Sequence, residues 1–341
     1  MKAGITGYGF YVPRYRIKTE DIAHVWGKNP GDISSSLNIF EKAIAGVDED
    51  SVTMAYEASV LAFSTLKINK EEIGMVLFGS ETPPYAVNPA STILGEYLGV
   101  GTSYLASDTQ FACKAATGAL IMTLNSVESG FIKNGLVCGS DKANGKPHDA
   151  LEYTAASGAV SLVVGTANLL LEVVAMTSFS SDTPDFWRRE GMRYPTHGGR
   201  FTGKPSYFRH IMGAANELFE KTGMKPADFQ HAVFHMPNGR FPQEVAKSLG
   251  FTPDHIKHSL VAPYLGNSYT ASALMGLVSV LEQSKEGDHI FFASYGSGAG
   301  SDAFIFKVTK EITKQRKAFK KMIENKEYID YTTYLKFMEN M

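Results

Sequence analysis

The sequence predicts an α/β fold built from two similar halves packed face to face, and three observations lead there. Short apolar runs recur along the chain, helix-length stretches separate them, and the order of elements in the first half returns in the second. The runs are GMVLFGS (74–80), GLVCGS (135–140), AVSLVVG (159–165), HAVFHM (231–236), HIFFASYG (289–296) and AFIFKV (303–308). Each is too short for a typical helix and is bounded by turn residues, which makes it a buried strand. The N-terminal MKAGITGYGFYVPRYRI alternates like a further strand. Between the runs, DSVTMAYEASVLAFSTL (50–66) and SALMGLVSVLEQSK (272–285) have helical length, so helices cover the sheets.

The repeat is read from alignment of the two halves. Placing Cys113 over Asn267 also places Cys138 over Phe292, a constant offset of 154, with a small-residue helix followed by a strand in both copies. A strand ending in FGSE precedes the first unit and one ending in FHMP precedes the second. The halves are therefore expected at 1–170 and 171–341, and a duplicated fold brings Cys113, Asn267, Glu81 and His235 to one central site. The segment 180–210 is polar, aromatic and Gly/Pro-punctuated; a loop of that length inside a compact domain is more often functional than idle. The tail from about 309 is charge-rich at helical spacing and reads as a solvated amphipathic helix with no assigned chemistry.

Composition narrows the function classes. The chain has 341 residues, 44% of them hydrophobic, enough for one large core or two smaller ones. With 33 basic and 35 acidic residues it offers no global field for nucleic acid or an anionic membrane surface. Two cysteines cannot build a disulfide framework or a zinc cluster, so no metal site is expected, and unpaired thiols fit a reducing, cytoplasmic setting. The N-terminus lacks the apolar core of a signal peptide, and no run approaches the ~18 apolar residues of a membrane span.

Cys113, in DTQFACKAATGAL, stands where polar sequence turns into a small-residue helix. A free cysteine is commonly a buried filler, and Cys138 in GLVCGS fits that description. At a helix start, however, free N–H groups and the dipole are expected to stabilise a thiolate and lower the Cys113 pKa. His235 ends a strand at the sheet rim, and Asn267 holds the repeat position of the nucleophile; it can orient an imidazole or donate to a thioester oxygen. Glu81, at the end of an apolar strand, is either a cap or loop charge, or a desolvated general base. YGSGAGS (295–301) matches no nucleotide-binding motif, but its N–H groups after a strand can form an oxyanion hole with Ser297 as donor.

In this order FGSE, FACKA, DFWR…YP, FHMPNGR, YLGNSYT and SYGSGAG resemble the 3-hydroxy-3-methylglutaryl-CoA synthase family of the thiolase superfamily, in its short archaeal form. The resemblance runs from GYGFYVPRYRI to about residue 308 and implies the duplicated αβαβα fold. It further implies that Cys113 carries an acetyl group from acetyl-CoA, Glu81 removes a methyl proton, His235 polarises and protonates the C3 ketone of acetoacetyl-CoA, and Asn267 helps hold that substrate. CoA binding is assigned on this basis to Arg200, Thr202, Lys204 and Arg240, with Thr154 a substrate contact. CoA thioesters are the substrates and no cofactor is implied. At least a dimer is implied, as is a larger assembly with an acetoacetyl-CoA thiolase and a small OB-fold, zinc-ribbon protein. Phe111 and Lys114 flank the cysteine, whereas bacterial and eukaryotic members of the family usually carry an acidic and an aromatic residue around it, which fits the archaeal form.

Two other readings compete. A ketoacyl-synthase-III-like enzyme shares the Cys-His-Asn set but condenses by decarboxylation without a carboxylate base, so Glu81 discriminates. A non-catalytic scaffold of the same fold predicts a damaged site. A thiolase proper needs a second cysteine in a C-terminal C-x-G motif, and none follows Cys138.

Overall fold

The apolar runs pair into one mixed nine-stranded sheet in the computed structural model, which describes residues 2–339. In chain order the strands are β1 (Gly4–Tyr11), β2 (Ile73–Gly79), β3 (Leu105–Thr109), β4 (Asn134–Lys142), β5 (Ser157–Gly165), β6 (Leu171–Thr183), β7 (His231–Phe234), β8 (His289–Ala293) and β9 (Gly298–Val308). Outward from β1 the order is β5, β4, β2, β3: the first two junctions are antiparallel and the next two parallel. Outward from β6 it is β9, β8, β7, again antiparallel, antiparallel, parallel. The two series meet where Gly4 and Ile5 of β1 pair with Glu172 and Leu171 of β6.

Because β2, β4, β5, β8 and β9 are buried on both faces, each series needs helices on both sides. One outer layer is α1 (Ser51–Phe63) and α2 (Ala90–Leu98), which enclose Val76, Phe78, Leu136 and Cys138. Two central helices, α3 (Ala115–Glu128) and α6 (Ser272–Leu281), share a core with inner-face residues of both series, including Leu77, Val137, Phe292 and Phe304. The other outer layer is α4 (Arg209–Thr222) and α5 (Phe241–Leu249), over Phe234, Phe291 and Ile305. The result is the αβαβα layering expected of a thiolase-like fold.

Small residues let the central layer sit close to the sheet. An added Cβ at Gly79 would lie 2.5 Å from the Ala116 backbone nitrogen, and one at Gly139 would lie 2.8 Å from the Ala116 Cβ. The AATGA run after Cys113 supplies the other half of that fit.

Two regions differ from expectation. The 180–210 segment is not one loop: it holds the end of β6, a two-residue strand pair (Phe186–Trp187 with Thr196–His197), and a π-helical turn over Gly203–Phe208 leading into α4. The tail is not a single solvated helix. It folds as Ile312–Gln315, Phe319–Glu324, the strand Glu327–Tyr328 paired with Tyr15–Lys18, and the helix Tyr331–Glu339. Ile312, Phe319, Tyr334 and Met338 are buried: the first two join the central core, and Tyr334 and Met338 pack against Ile17, Ile22 and Ile44 near the N-terminus. Residues 340 and 341, at the end of the second expected half, lie outside the described residues, as does Met1.

Candidate active site

The site forms where the loops following β2, β7 and the two central-helix turns converge. Cys113 precedes α3, and the residue before it, Ala112, adopts φ +43°. Gly266, before Asn267, adopts φ +76°, and the offset between these two turns is again 154. A residue with positive φ reverses the chain just ahead of Cys113 and of Asn267; Ala112, lacking glycine's freedom, holds that conformation at a cost of ~1 kcal/mol or more. Glu81 and His235, just past the ends of β2 and β7, are also separated by 154.

The Cys113 Sγ donates to the Glu81 Oε1 at 2.9 Å. Burial, and then the nearby Asp141 charge, push the Glu81 carboxyl up from 4.5 to about 8, against smaller opposing effects of the Cys113 hydrogen bond and Arg188. The same contact corrects the expected thiolate. Burial and the adjacent Glu81 carboxylate hold the Cys113 thiol well above its ordinary value, and they outweigh any helix-dipole assistance. The resting pair is thus a neutral thiol hydrogen-bonded to a carboxyl poised near neutrality.

His235 is fixed by its main chain: its N–H donates to the Ala293 carbonyl at 2.9 Å and its carbonyl accepts from the Tyr207 hydroxyl at 2.6 Å. The ring is buried, and desolvation lowers its pKa to about 3, so the imidazole is neutral throughout the physiological range. Among the described residues its Nδ1 has no hydrogen-bond partner. Asn267 bridges to the Thr154 segment: its N–H donates to the Thr154 carbonyl at 2.7 Å, its carbonyl accepts from Ala156 at 2.9 Å, and its Oδ1 accepts from Tyr269 N–H at 3.0 Å.

A cavity of about 1290 Å³ is lined by Cys113, Thr154, Arg200, Thr202, Lys204, His235, Asn267 and Ser297. Its walls are largely apolar, with Phe186, Tyr207, Phe208 and Phe241 among them. Glu81 joins through Cys113 and lines two smaller cavities beside the large one. Arg240 is not part of this wall; its Nε donates to the Ser35 carbonyl at 2.6 Å, near the C-terminal end of the helix Pro30–Leu37. Among the described residues no group of three or more His, Cys, Asp or Glu could hold a metal ion.

The hydroxymethylglutaryl-CoA synthase of Methanocaldococcus jannaschii is 49% identical over 342 residues, covering 99% of both chains. That of Archaeoglobus fulgidus is 50% identical over 336 residues, covering 98% of this chain and 97% of the relative. The chain belongs to the hydroxymethylglutaryl-CoA synthase family. A solved structure of MvaS in complex with 3-hydroxy-3-methylglutaryl coenzyme A matches with TM-score 0.90 at 23% identity, over 99% of this chain and 92% of the other. An HMG-CoA synthase complexed with CoA matches with TM-score 0.89 at 23% identity, over 98% and 90%. Residues 219–308 also match the model for the C-terminal part of 3-oxoacyl-[acyl-carrier-protein] synthase III.

Sequence reasoning missed the groups that hold this synthase-family site together. Asp141, at the end of β4 and fully buried, accepts through Oδ1 from Ser80, from the N–H groups of Glu81 and Thr82, and from the Thr82 hydroxyl. Its Oδ2 accepts from the Thr270 N–H at 2.9 Å, tying the Glu81 turn to the Asn267 turn. Asp185, also buried, takes the Tyr295 hydroxyl at 2.6 Å and the Gly298 N–H at 2.9 Å, anchoring the loop that carries Ser297. The signal available in the sequence is weak: Asp141 stands at the end of the apolar run GLVCGS, and Asp185 precedes the aromatic pair Phe186–Trp187.

Proposed function

We propose that this chain condenses acetyl-CoA with acetoacetyl-CoA and water to give 3-hydroxy-3-methylglutaryl-CoA and CoA, through an acetyl-Cys113 intermediate, as a step toward mevalonate and isoprenoids. The observation that carries the reading is the 2.9 Å Cys113–Glu81 contact at the wall of the large cavity.

The thiol proton passes to Glu81 as Sγ attacks the acetyl-CoA carbonyl; the carbon–sulfur bond to CoA breaks and the CoA thiolate leaves with that proton. Glu81, a carboxylate again, takes a proton from the acetyl methyl group, which its raised pKa favours. The enolate oxygen is stabilised by N–H groups at the Cys113 and Ser297 turns. Its carbon attacks C3 of acetoacetyl-CoA, whose ketone is polarised by the neutral His235 ring and protonated from it. The His235 ring, which gives up its N–H proton as the alkoxide forms, is restored to neutrality by the proton that Glu81 took from the methyl group, relayed through water in the cavity, and Glu81 is a carboxylate again for the hydrolysis. Water then cleaves the Cys113 thioester, releasing the acid and restoring the thiol. Asn267 holds the second acyl chain against Thr154, and Arg200, Thr202 and Lys204 receive the CoA portion. Arg240, engaged with Ser35, is assigned at most an outer role at the cavity mouth.

The chemistry calls for no prosthetic group, since the thioesters themselves supply the activated acyl carbon. The chain is read as two equivalent halves dividing near residue 170, acting in the cytoplasm as a homo-oligomer of at least two copies, a location that its two unpaired thiols fit. No helix among the described residues is long and apolar enough to cross a membrane. The dimer is supported by β3, an open edge strand, and by exposed Leu105, Tyr97, Tyr85 and Val87 nearby. A larger assembly with a thiolase and an OB-fold, zinc-ribbon protein would use other faces. The match of residues 219–308 to a 3-oxoacyl synthase III model favours a second reading, decarboxylative condensation, but that chemistry leaves the Glu81 carboxyl on the thiol without a task.

The test is incubation with both thioesters, following free thiol and the acetoacetyl enolate absorbance. CoA release that depends on both substrates is expected; its absence would sink the synthase reading.

A further inference from the structure

Lys114, the residue after the nucleophile, is not explained by the chemistry above. Only 5% exposed, it sends its ammonium away from solvent and across the molecule to Asp302 in β9, 3.0 Å from both carboxylate oxygens. Asp302 is fully buried, and accepts as well from Thr117 of α3 and Ser178 of β6, each at 2.7 Å. The cation also sits over the Phe111 ring, 4.2 Å from its centroid. The network therefore joins the Cys113 turn and its helix to two strands of the other series.

Stability alone does not account for such a pair. A cation at a helix N-terminus opposes the dipole, and a buried ion pair is commonly no more stabilising than apolar groups of the same shape. What the pair does is set distances. The Lys114 stem runs under the arch Gly296–Gly300, whose two ends exchange hydrogen bonds of 2.8 Å. An added Cβ at Gly296 would lie 2.8 Å from the Lys114 Cγ and 2.5 Å from the Phe111 carbonyl oxygen; one at Gly300 would lie 2.8 Å from the Lys114 Cε. The arch carries Ser297 into the cavity, and Asp185 holds it from the opposite side through Tyr295 and Gly298. Meanwhile the Lys114 N–H closes the nucleophile turn on the Phe111 carbonyl at 3.1 Å.

We infer that the buried Lys114–Asp302 pair positions the active site, clasping the Cys113 turn and the Ser297 arch at a fixed separation across the two strand series. The inference rests on the acyl-transfer reading of Cys113. Lys114 and Asp302 are positioning residues, acting through Cys113 and Ser297 on the acetylation step.

The test uses the full-length protein with Lys114→Met, Asp302→Asn, the double variant and Lys114→Arg. Each charge-deleting single variant is expected to melt earlier, since it leaves one buried charge unpaired. The double variant is expected to recover the parental melting temperature, yet acetylate Cys113 about 10²-fold more slowly in single turnover, with its KM for acetyl-CoA within about twofold. Lys114→Arg keeps the charge but replaces the compact ammonium with a larger planar guanidinium; it is expected to fold and to acetylate at least about tenfold more slowly. Parental acetylation rates in the folded double variant, or in Lys114→Arg should the double variant not fold, would overturn the inference. If the parent itself is never acetylated at Cys113, the functional reading fails instead. Iodoacetamide alkylation of Cys113 then tests the clasp independently: a severalfold altered rate in the folded variants supports it, and an unchanged rate overturns it.

Discussion

At the residue scale, the site turns on two ionisations that the environment has moved in useful directions. In the proposed mechanism Glu81 is ionised when it takes a proton, and its pKa is raised to about 8, so kcat/KM is expected to rise with pH and level off above that value. Replacing Glu81 with Gln should flatten the rise along with the activity. The same shift bears on stability. A raised carboxyl contributes most below its ordinary value of 4.5, and that contribution is lost as pH rises through about 8. Glu81→Gln is therefore expected to melt higher than the parent at pH 8–9, with the difference vanishing below pH 4.5 in a thermal-melt series. His235, with its pKa near 3, should contribute no inflection between pH 5 and 8. His235→Ala is expected to leave acetyl-Cys113 formation within severalfold of the parent while slowing condensation about 10²–10⁴-fold, read by quenched-flow mass measurement. Cys113 and His235 could be picked out of the sequence because a thiol at a helix start and a histidine at a strand end are local features. The direction of the Cys113 pKa could not, since it depends on a carboxylate 32 residues away that only folding brings into contact.

At the element scale, what was legible followed burial. The apolar runs 74–80, 135–140 and 159–165 appear as β2, β4 and β5 because strands covered on both faces must be apolar throughout. The longest strand, β6, was not read: its 13 residues alternate half-exposed and polar positions and run into TSFSSDT, which resembles a loop by composition. The tail misled for the opposite reason: its many charges masked buried residues on two separate helices, Phe319 on one and Tyr334 and Met338 on the next. The placement of α3 supplies a prediction. Gly79→Ala would drive a methyl group to 2.5 Å from the Ala116 nitrogen, at the start of the helix that follows Cys113. It is expected to cost about 1–3 kcal/mol of stability and to slow acetylation more than substrate binding, as measured by thermal melts and a kcat–KM split.

At the scale of the whole molecule, the duplication explains why four residues far apart in sequence share one site. The loops after β2 and β7 and the turns that lead into the two central helices meet in one place, and the 154-residue offset relates Glu81 to His235 as it relates Cys113 to Asn267. The open edge at β3 is expected to close on a second copy. Leu105→Lys should shift the protein toward the mass of one chain in light scattering, whereas a monomeric parent would contradict the dimer. The central claim concerns the whole arrangement: a thiol that carries the acetyl group and a carboxyl that turns it into a carbon nucleophile. The most direct measurement is the intact mass of the Glu81→Gln variant, quenched after mixing with acetyl-CoA and acetoacetyl-CoA. Slow accumulation of an acetyl group on Cys113, with no 3-hydroxy-3-methylglutaryl-CoA formed, is the predicted result; product formation at the parental rate would contradict it.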